Sequence, residues 1–162
     1  MRHSLIVVLL TLAHSSGVFA EDLTGRTLSK KDITLPDGKV NVVIAGFSRE
    51  SSDDATQWRQ ALSDVIDGAG LYSLVDLEAA PGFIRGMIVR SIRGDTPQTI
   101  HDKFLIVTDS SAAWRRAARV EDEDLVYVLK LSPAAQVCAR VTGSVTQTAI
   151  AMLIDAPCPR TE

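Results

Sequence analysis

Residues 40–47 read Val-Asn-Val-Val-Ile-Ala-Gly-Phe, a short β-branched stretch with almost no polar interruption. A strand with one wet face would alternate, so this run suits a central strand covered on both sides. Residues 71–77 and 104–108 repeat the pattern, and each apolar run is followed by a helical one. After the first, Ser51-Ser52-Asp53-Asp54 offers hydroxyls and carboxylates to the free N–H groups and positive dipole end of a helix. Trp58, Leu62, Val65 and Ile66 then fall on one apolar stripe, and Gly68 and Gly70 stop it, which predicts a helix ending near Asp67. After the second, Pro81-Gly82 opens a helix with Ile84, Met87, Ile88 and Ile92 at helical spacing. After the third, Asp109-Ser110-Ser111 can cap a short helix that runs through Trp114 to Arg119.

Both ends of the chain add to this core. Residues 125–131 and 136–142 are strand-like and separated only by Ser132-Pro133-Ala134-Ala135, which predicts an antiparallel hairpin. Residues 146–155 close with a helix that places Ile150, Leu153 and Ile154 on one face, and Pro157 and Pro159 prevent its continuation. Residues 21–39 alternate short apolar positions with turn residues and include Pro36-Asp37-Gly38, so a small N-terminal hairpin extension is expected ahead of a main domain over 40–162. The order strand, helix, strand, helix, strand, helix, hairpin, helix predicts an α/β fold: a mixed sheet with helices on both faces.

The first residues read as an address. Arg2 precedes an apolar run over residues 5–13, less than half of the roughly 20 apolar residues a membrane-spanning helix needs. Val18-Phe19-Ala20 fits small-residue cleavage, so residues 1–20 are expected to be a signal peptide cut after Ala20, leaving a periplasmic or secreted protein. Composition is that of an ordinary globular chain, with 162 residues, 46% hydrophobic and 23% charged. Its 17 basic and 20 acidic side chains argue against nucleic acid as a partner.

The element order resembles the thioredoxin-like fold. The second half, with His101-Asp102-Lys103-Phe104, Asp124-Leu125-Val126-Tyr127-Val128 and Arg140-Val141-Thr142-Gly143, looks like the ATP10-like assembly-factor branch and similar exported proteins. The resemblance implies C-x-x-C, or a single peroxidatic cysteine, where the first core strand meets its helix. This chain has Phe47-Ser48-Arg49-Glu50-Ser51-Ser52 there. A helix N-terminus stabilises a thiolate nucleophile, and a serine hydroxyl cannot replace it. The superfamily also places a cis-proline before the strand facing the redox pair, whereas here Val120-Glu121-Asp122-Glu123-Asp124 precedes Leu125. Both departures count against thiol–disulfide exchange.

Cys138 and Cys158 are the only cysteines, too far apart for a redox or zinc motif. Standard rises bring a helix over 146–155 back beside the strand it left, so a structural disulfide is expected, with free thiols and redox catalysis as alternatives. One feature opposes it: alternation places Val137, Ala139 and Val141 on one face and Cys138 on the other. Only His101 survives leader removal, which leaves no multi-histidine metal site. The pair His101-Asp102 lacks a G-x-S-x-G elbow and reads as a capping or surface pair. Gly46, Ser51 and Ser52 could border an anion site, but Asp53 and Asp54 would repel the anion, and no P-loop lysine or other cofactor motif is present. Trp58 and Trp114 read as core residues.

Arg85, Arg90 and Arg93, with Arg115, Arg116 and Arg119, are the densest basic groups. Solvated helix faces explain them, and a patch for an acidic protein segment or membrane headgroups is the alternative, with the acid run 121–124 placed to neutralise it. The leading expectation is an exported, non-catalytic thioredoxin-like binding or assembly module whose partner is a cell-envelope protein. Its expected surface is Phe47, Ser48, Arg49 and Ser51 with Arg85, Arg90 and Arg93. The alternative is an atypical thiol oxidoreductase or peroxidase using Cys138 and Cys158.

Overall fold

The computed structural model describes residues 21–158. The leader, its cleavage site at Ala20 and Pro159 lie outside them. The elements in chain order are β1 (Leu23–Thr27), β2 (Asp32–Leu35), β3 (Asn41–Gly46), α1 (Ser52–Ser63), β4 (Leu71–Asp76), α2 (Gly82–Asp95), β5 (Phe104–Val107), α3 (Ser111–Ala118), β6 (Tyr127–Leu131), β7 (Val137–Thr142) and α4 (Gln147–Asp155). They build one seven-stranded sheet in the order β2-β1-β5-β4-β3-β6-β7. Strands β3, β4 and β5 run parallel, and the outer pairings are antiparallel.

The sheet is covered as the apolar runs require. All six residues of β3 are buried, with Val42 and Ile44 facing Trp58 and Leu62 of α1 and Leu153 of α4, while Val43 and Ala45 face Trp114 of α3. Period-two alternation makes the same division in β5: Leu105 and Val107 join the α3 side, and Phe104 and Ile106 meet Ile88, Val89 and Ile92 of α2. Helices α1, α2 and α4 thus share one face, and α3 takes the other. Both tryptophans are fully buried, and each indole N–H reaches a main-chain carbonyl, Trp58 that of Gly143 at 2.8 Å and Trp114 that of Thr24 at 2.7 Å.

Local details differ from the sequence pattern for identifiable reasons. Helix α1 stops at Ser63, where the N–H of Val65 tightens onto the carbonyl of Leu62 three residues back, and Val65 is left 55% exposed. Ile154 of α4 is also exposed, off the buried stripe that Leu153 occupies. The N-terminal hairpin reverses at residues 28–31, with Lys30 at φ 68°, rather than at Pro36-Asp37-Gly38, which links β2 to β3 through a cis Leu35–Pro36 bond. Strand β1 pairs with β5, which makes the hairpin part of the sheet.

The expected serine caps are not formed. The Ser51 hydroxyl donates to the carbonyl of Ser48 and that of Ser52 to the carbonyl of Arg49. Ser110 donates to the carbonyl of Thr24. Each hydroxyl pins the turn that precedes its helix instead of the first helical N–H groups. Thr146 does cap α4, accepting from Ala149 N at 3.0 Å.

Candidate functional site

Open α/β sheets place their ligand crevices at the carboxyl ends of parallel strands. Here that end gathers the turn after β3, the loop after β4 and the first turn of α3. Asp76, the last residue of β4, has a side chain only 2% exposed. Its carboxylate accepts from the Ser111 hydroxyl and from Arg115 Nε at 3.2 Å. Glu78, two residues on, accepts from the Ser111 N–H at 3.0 Å, so a remote carboxylate performs the cap that Ser110 does not. Arg115 also donates to Glu123. Burial opposes the Arg115 charge, but the hydrogen bond to Glu123 and the field of Asp76 outweigh it and raise the guanidinium pKa.

Aromatic rings floor this network. Phe47 lies edge-on to Tyr127 with centroids 5.9 Å apart, and the Arg115 guanidinium sits 5.2 Å from the Phe47 ring centre. The Tyr127 hydroxyl accepts from the N–H groups of Glu121 and Asp122, each at 3.1 Å, and donates to the carbonyl of Asp122, which fixes the acidic loop. The Ser48 hydroxyl is buried and has no hydrogen-bond partner among the described residues. Gly46 is needed for space, since a Cβ there would stand 2.8 Å from Ser51 Oγ.

The residues expected to form the binding surface lie in different surroundings. Phe47 and Ser51 are buried and are packing residues of the turn, Ser48 is half-buried, and Arg49 is exposed. Arg85 donates to the carbonyls of Ala80 at 2.8 Å and Glu78 at 2.6 Å, bracing the loop after β4. Arg93 donates through Nε and Nη2 to the carbonyl of Leu28, at 3.1 and 2.7 Å, in the hairpin turn of β1 and β2. Arg90 is exposed on the outer side of α2. The three arginines therefore serve three different places and do not converge. Of the second basic group, Arg116 pairs with Glu21 and Arg115 with Asp76 and Glu123, so the acid run does neutralise part of it.

Cys138 and Cys158 are joined, with Cα atoms 5.0 Å apart. The obstacle raised by alternation is removed by a bulge: Lys130 pairs with Ala139 but Leu131 with Val137, so Cys138 is the extra residue. Val137 then joins the α3 face and Ala139 the α4 face. Lys130 Nζ completes the corner by donating to the carbonyls of Ile154 at 2.6 Å and Ala156 at 2.7 Å. Because Leu131 pairs with Val137 on one side and with Asn41 on the other, the bond lies on the edge strand level with the start of β3, at least the length of a strand (about 20 Å) from the crevice.

His101 and Asp102 do not act together: the ring Nε2 is 2.9 Å from the carbonyl of Thr96, and Asp102 pairs with Ser29 and Lys31. Among the described residues no cluster of His, Cys, Asp and Glu has the size to hold a metal ion. A second polar group lies at the amino end of β4, where the Tyr72 hydroxyl donates to Asp37 at 3.0 Å and accepts from Lys103 Nζ at 2.8 Å. Burial, then the neighbouring Asp37 carboxylate, push the Tyr72 phenol well above its ordinary range.

No protein-family model matches the sequence, and no curated protein does. Solved structures do match. StoA from Bacillus subtilis is 14% identical with a TM-score of 0.54, over 81% of this chain and 94% of StoA. Etrx1, an exposed lipoprotein thioredoxin from Streptococcus pneumoniae, is 14% identical with a TM-score of 0.52, over 80% and 95%. BsSco, of the Sco family of cytochrome c oxidase assembly proteins, is 11% identical with a TM-score of 0.54, over 85% and 90%. The fold is thioredoxin-like. The turn from β3 into α1 reads Ser48-Arg49-Glu50-Ser51-Ser52 and holds no cysteine. The network that sequence reasoning missed, Asp76, Glu78, Ser111 and Arg115, stands beside that turn. Its one sequence signal is a carboxylate closing an apolar strand.

Proposed function

We propose that the protein is an exported thioredoxin-like binding or assembly module of the cell envelope, related in role to the ATP10-like branch, and that its partner docks at the crevice around Ser48, Arg49 and Arg115. The observation that carries this reading is the location of the sulfur: the turn from β3 into α1 has none, and both cysteines are bonded to each other at the far end of the sheet. A helix N-terminus turns a thiol into a useful nucleophile, and the turn that leads into the N-terminus of α1 carries serines, while Cys138 lies on β7 and Cys158 follows the C-terminal end of α4. The likeness to BsSco fits an assembly role, and the likeness to Etrx1 fits export.

Two measurements test this. Alkylation mass spectrometry on protein from its native compartment should find the Cys138–Cys158 bond stoichiometric and inert to mild reductant. A photo-crosslinker at Arg49 should capture an envelope protein, while one at Arg26, on the β1–β2 hairpin, should not. The thiol oxidoreductase or peroxidase reading rests on the same bond and makes the opposite forecast: the bond cycles readily, and Cys138→Ser abolishes turnover in peroxide or disulfide-exchange assays.

A further inference from the structure

The outer face of α2 is uncovered. At 3.6 residues per turn, Phe83, Gly86, Met87, Arg90 and Gly94 fall on one stripe, and all are exposed. Ile88, Val89 and Ile92 occupy the opposite side, against the sheet. Phe83 is 89% exposed and Met87 67%, one turn apart, at positions where a helix designed to face water carries polar residues. Gly86 and Gly94 have nothing within 4 Å of where a Cβ would stand, so the stripe is low at those two positions and Phe83 and Met87 project from it.

Charge adds a direction. Within α2 the residues Arg85, Arg90 and Arg93 face a single carboxylate, Asp95, in a chain of net charge −3. Arg85 and Arg93 donate to main-chain carbonyls, and none of the three forms an ion pair among the described residues. Asp95 accepts from Ser91, and the Glu78 carboxylate is engaged by the Ser111 N–H. The helix therefore keeps its positive charge while presenting an aromatic ring and a thioether. An acidic peptide needs walls to hold it, and glycine at 86 and 94 leaves no side chain at those positions to wall Phe83 and Met87. A bilayer interface accepts projecting apolar tips at the headgroup boundary and meets guanidinium groups with phosphate.

The geometry points to α2 as a peripheral docking helix that rests on an anionic phospholipid surface through Phe83, Met87 and Arg90. Phe83 sits in the first turn of α2, just after the loop that leaves β4, so docking holds the crevice end of the sheet toward the bilayer. The inference goes beyond the binding-module reading and does not depend on it.

Vesicle sedimentation of the purified protein tests it, with the N-terminus read by mass spectrometry so that a retained leader is not mistaken for α2. Vesicles containing phosphatidylglycerol should retain the protein, neutral phosphatidylcholine vesicles should not, and added salt should release it. Phe83→Ser with Met87→Ser should abolish retention with an unchanged melting curve, since both side chains are exposed. Arg90→Gln should weaken it about fivefold, the value of one arginine near an anionic surface. Absence of retention, equal retention on neutral vesicles, or retention unaltered in the variants overturns the proposal. So does a dimer by light scattering that the Phe83 and Met87 substitutions dissociate, which would assign the face to a second copy, or capture of an acidic protein by α2 without vesicle binding.

Discussion

Asp76 and Asp32 each accept from an arginine, and their surroundings set very different values on the two contacts. The Asp76 side chain is 2% exposed and joins Ser111 to Arg115, whereas Asp32 is 72% exposed opposite Arg26. Removing one partner of a buried pair strands the other, while an exposed pair is largely repaid by water. Asp76→Ala should cost about 2 kcal/mol in urea unfolding, below the full buried-pair penalty because Arg115 keeps Glu123 and part of its solvent. Asp32→Ala should stay within about 0.5 kcal/mol. Equal losses would mean that the crevice network is no more than surface decoration. Asp37 makes a separate, pH-dependent forecast. Burial works to raise its pKa, but hydrogen bonds from Asn41 and Tyr72 and the nearby lysines overcome this and hold it below the ordinary value. A depressed carboxylate stabilises the fold above its unfolded pKa of about 4, and that contribution disappears as pH falls through the folded value. The wild type should therefore lose more melting temperature between pH 5 and pH 3, by roughly this linkage, than Asp37→Asn does. Parallel melting profiles for the two proteins would remove Asp37 as an acid-sensitive group.

At the scale of elements, the turn from β3 into α1 is held by mutual fit. Gly46 leaves room for Ser51, whose hydroxyl holds the carbonyl of Ser48. Gly46→Ala should destabilise by about 1–3 kcal/mol through overpacking. Adding Ser51→Ala removes the offending oxygen, so the double variant should be more stable than the sum of the single losses predicts. Strict additivity would show that the close approach is relieved elsewhere. The same elements show what a sequence can disclose. Strands β3, β4 and β5 were legible because burial on both faces leaves continuous apolar runs, and Trp58 and Trp114 because helical spacing aligns them with other apolar residues. Asp76 was not, because a carboxylate after an apolar run reads as the strand's exit to water, and its partner Arg115 is 39 residues away. Serine caps were overcalled because a hydroxyl before a helix can equally well hold the preceding turn. Val137 was grouped with Ala139 and Val141 on one face because period-two reasoning has no place for a bulge.

Across the whole molecule, burial decreases from strand β3 at the centre of the sheet to strand β7 at its edge, and the disulfide acts at that edge. Strands β3 and β4 are covered on both faces, while β7 closes the sheet and most of its residues are half-buried. The bond joins β7 to the chain beyond α4 across a separation of 20 residues. In the chain-entropy model a loop of that length contributes about 3 kcal/mol. If the edge opens independently of the centre, reduction should speed amide exchange in β7 and α4 by about a hundredfold and leave β3, β4 and β5 nearly unchanged. Uniform acceleration through all the strands would instead mean that edge and centre unfold as one unit. The distinction bears on function because the crevice lies at the carboxyl end of β3 and the bond on edge strand β7, level with the opposite end of β3. With independent edges, partner capture at Arg49 should survive reduction undiminished, as expected of a binding site that uses the thioredoxin-like frame without its redox chemistry. Capture that fails on reduction while β3 to β5 keep their protection would tie the crevice to the state of the disulfide.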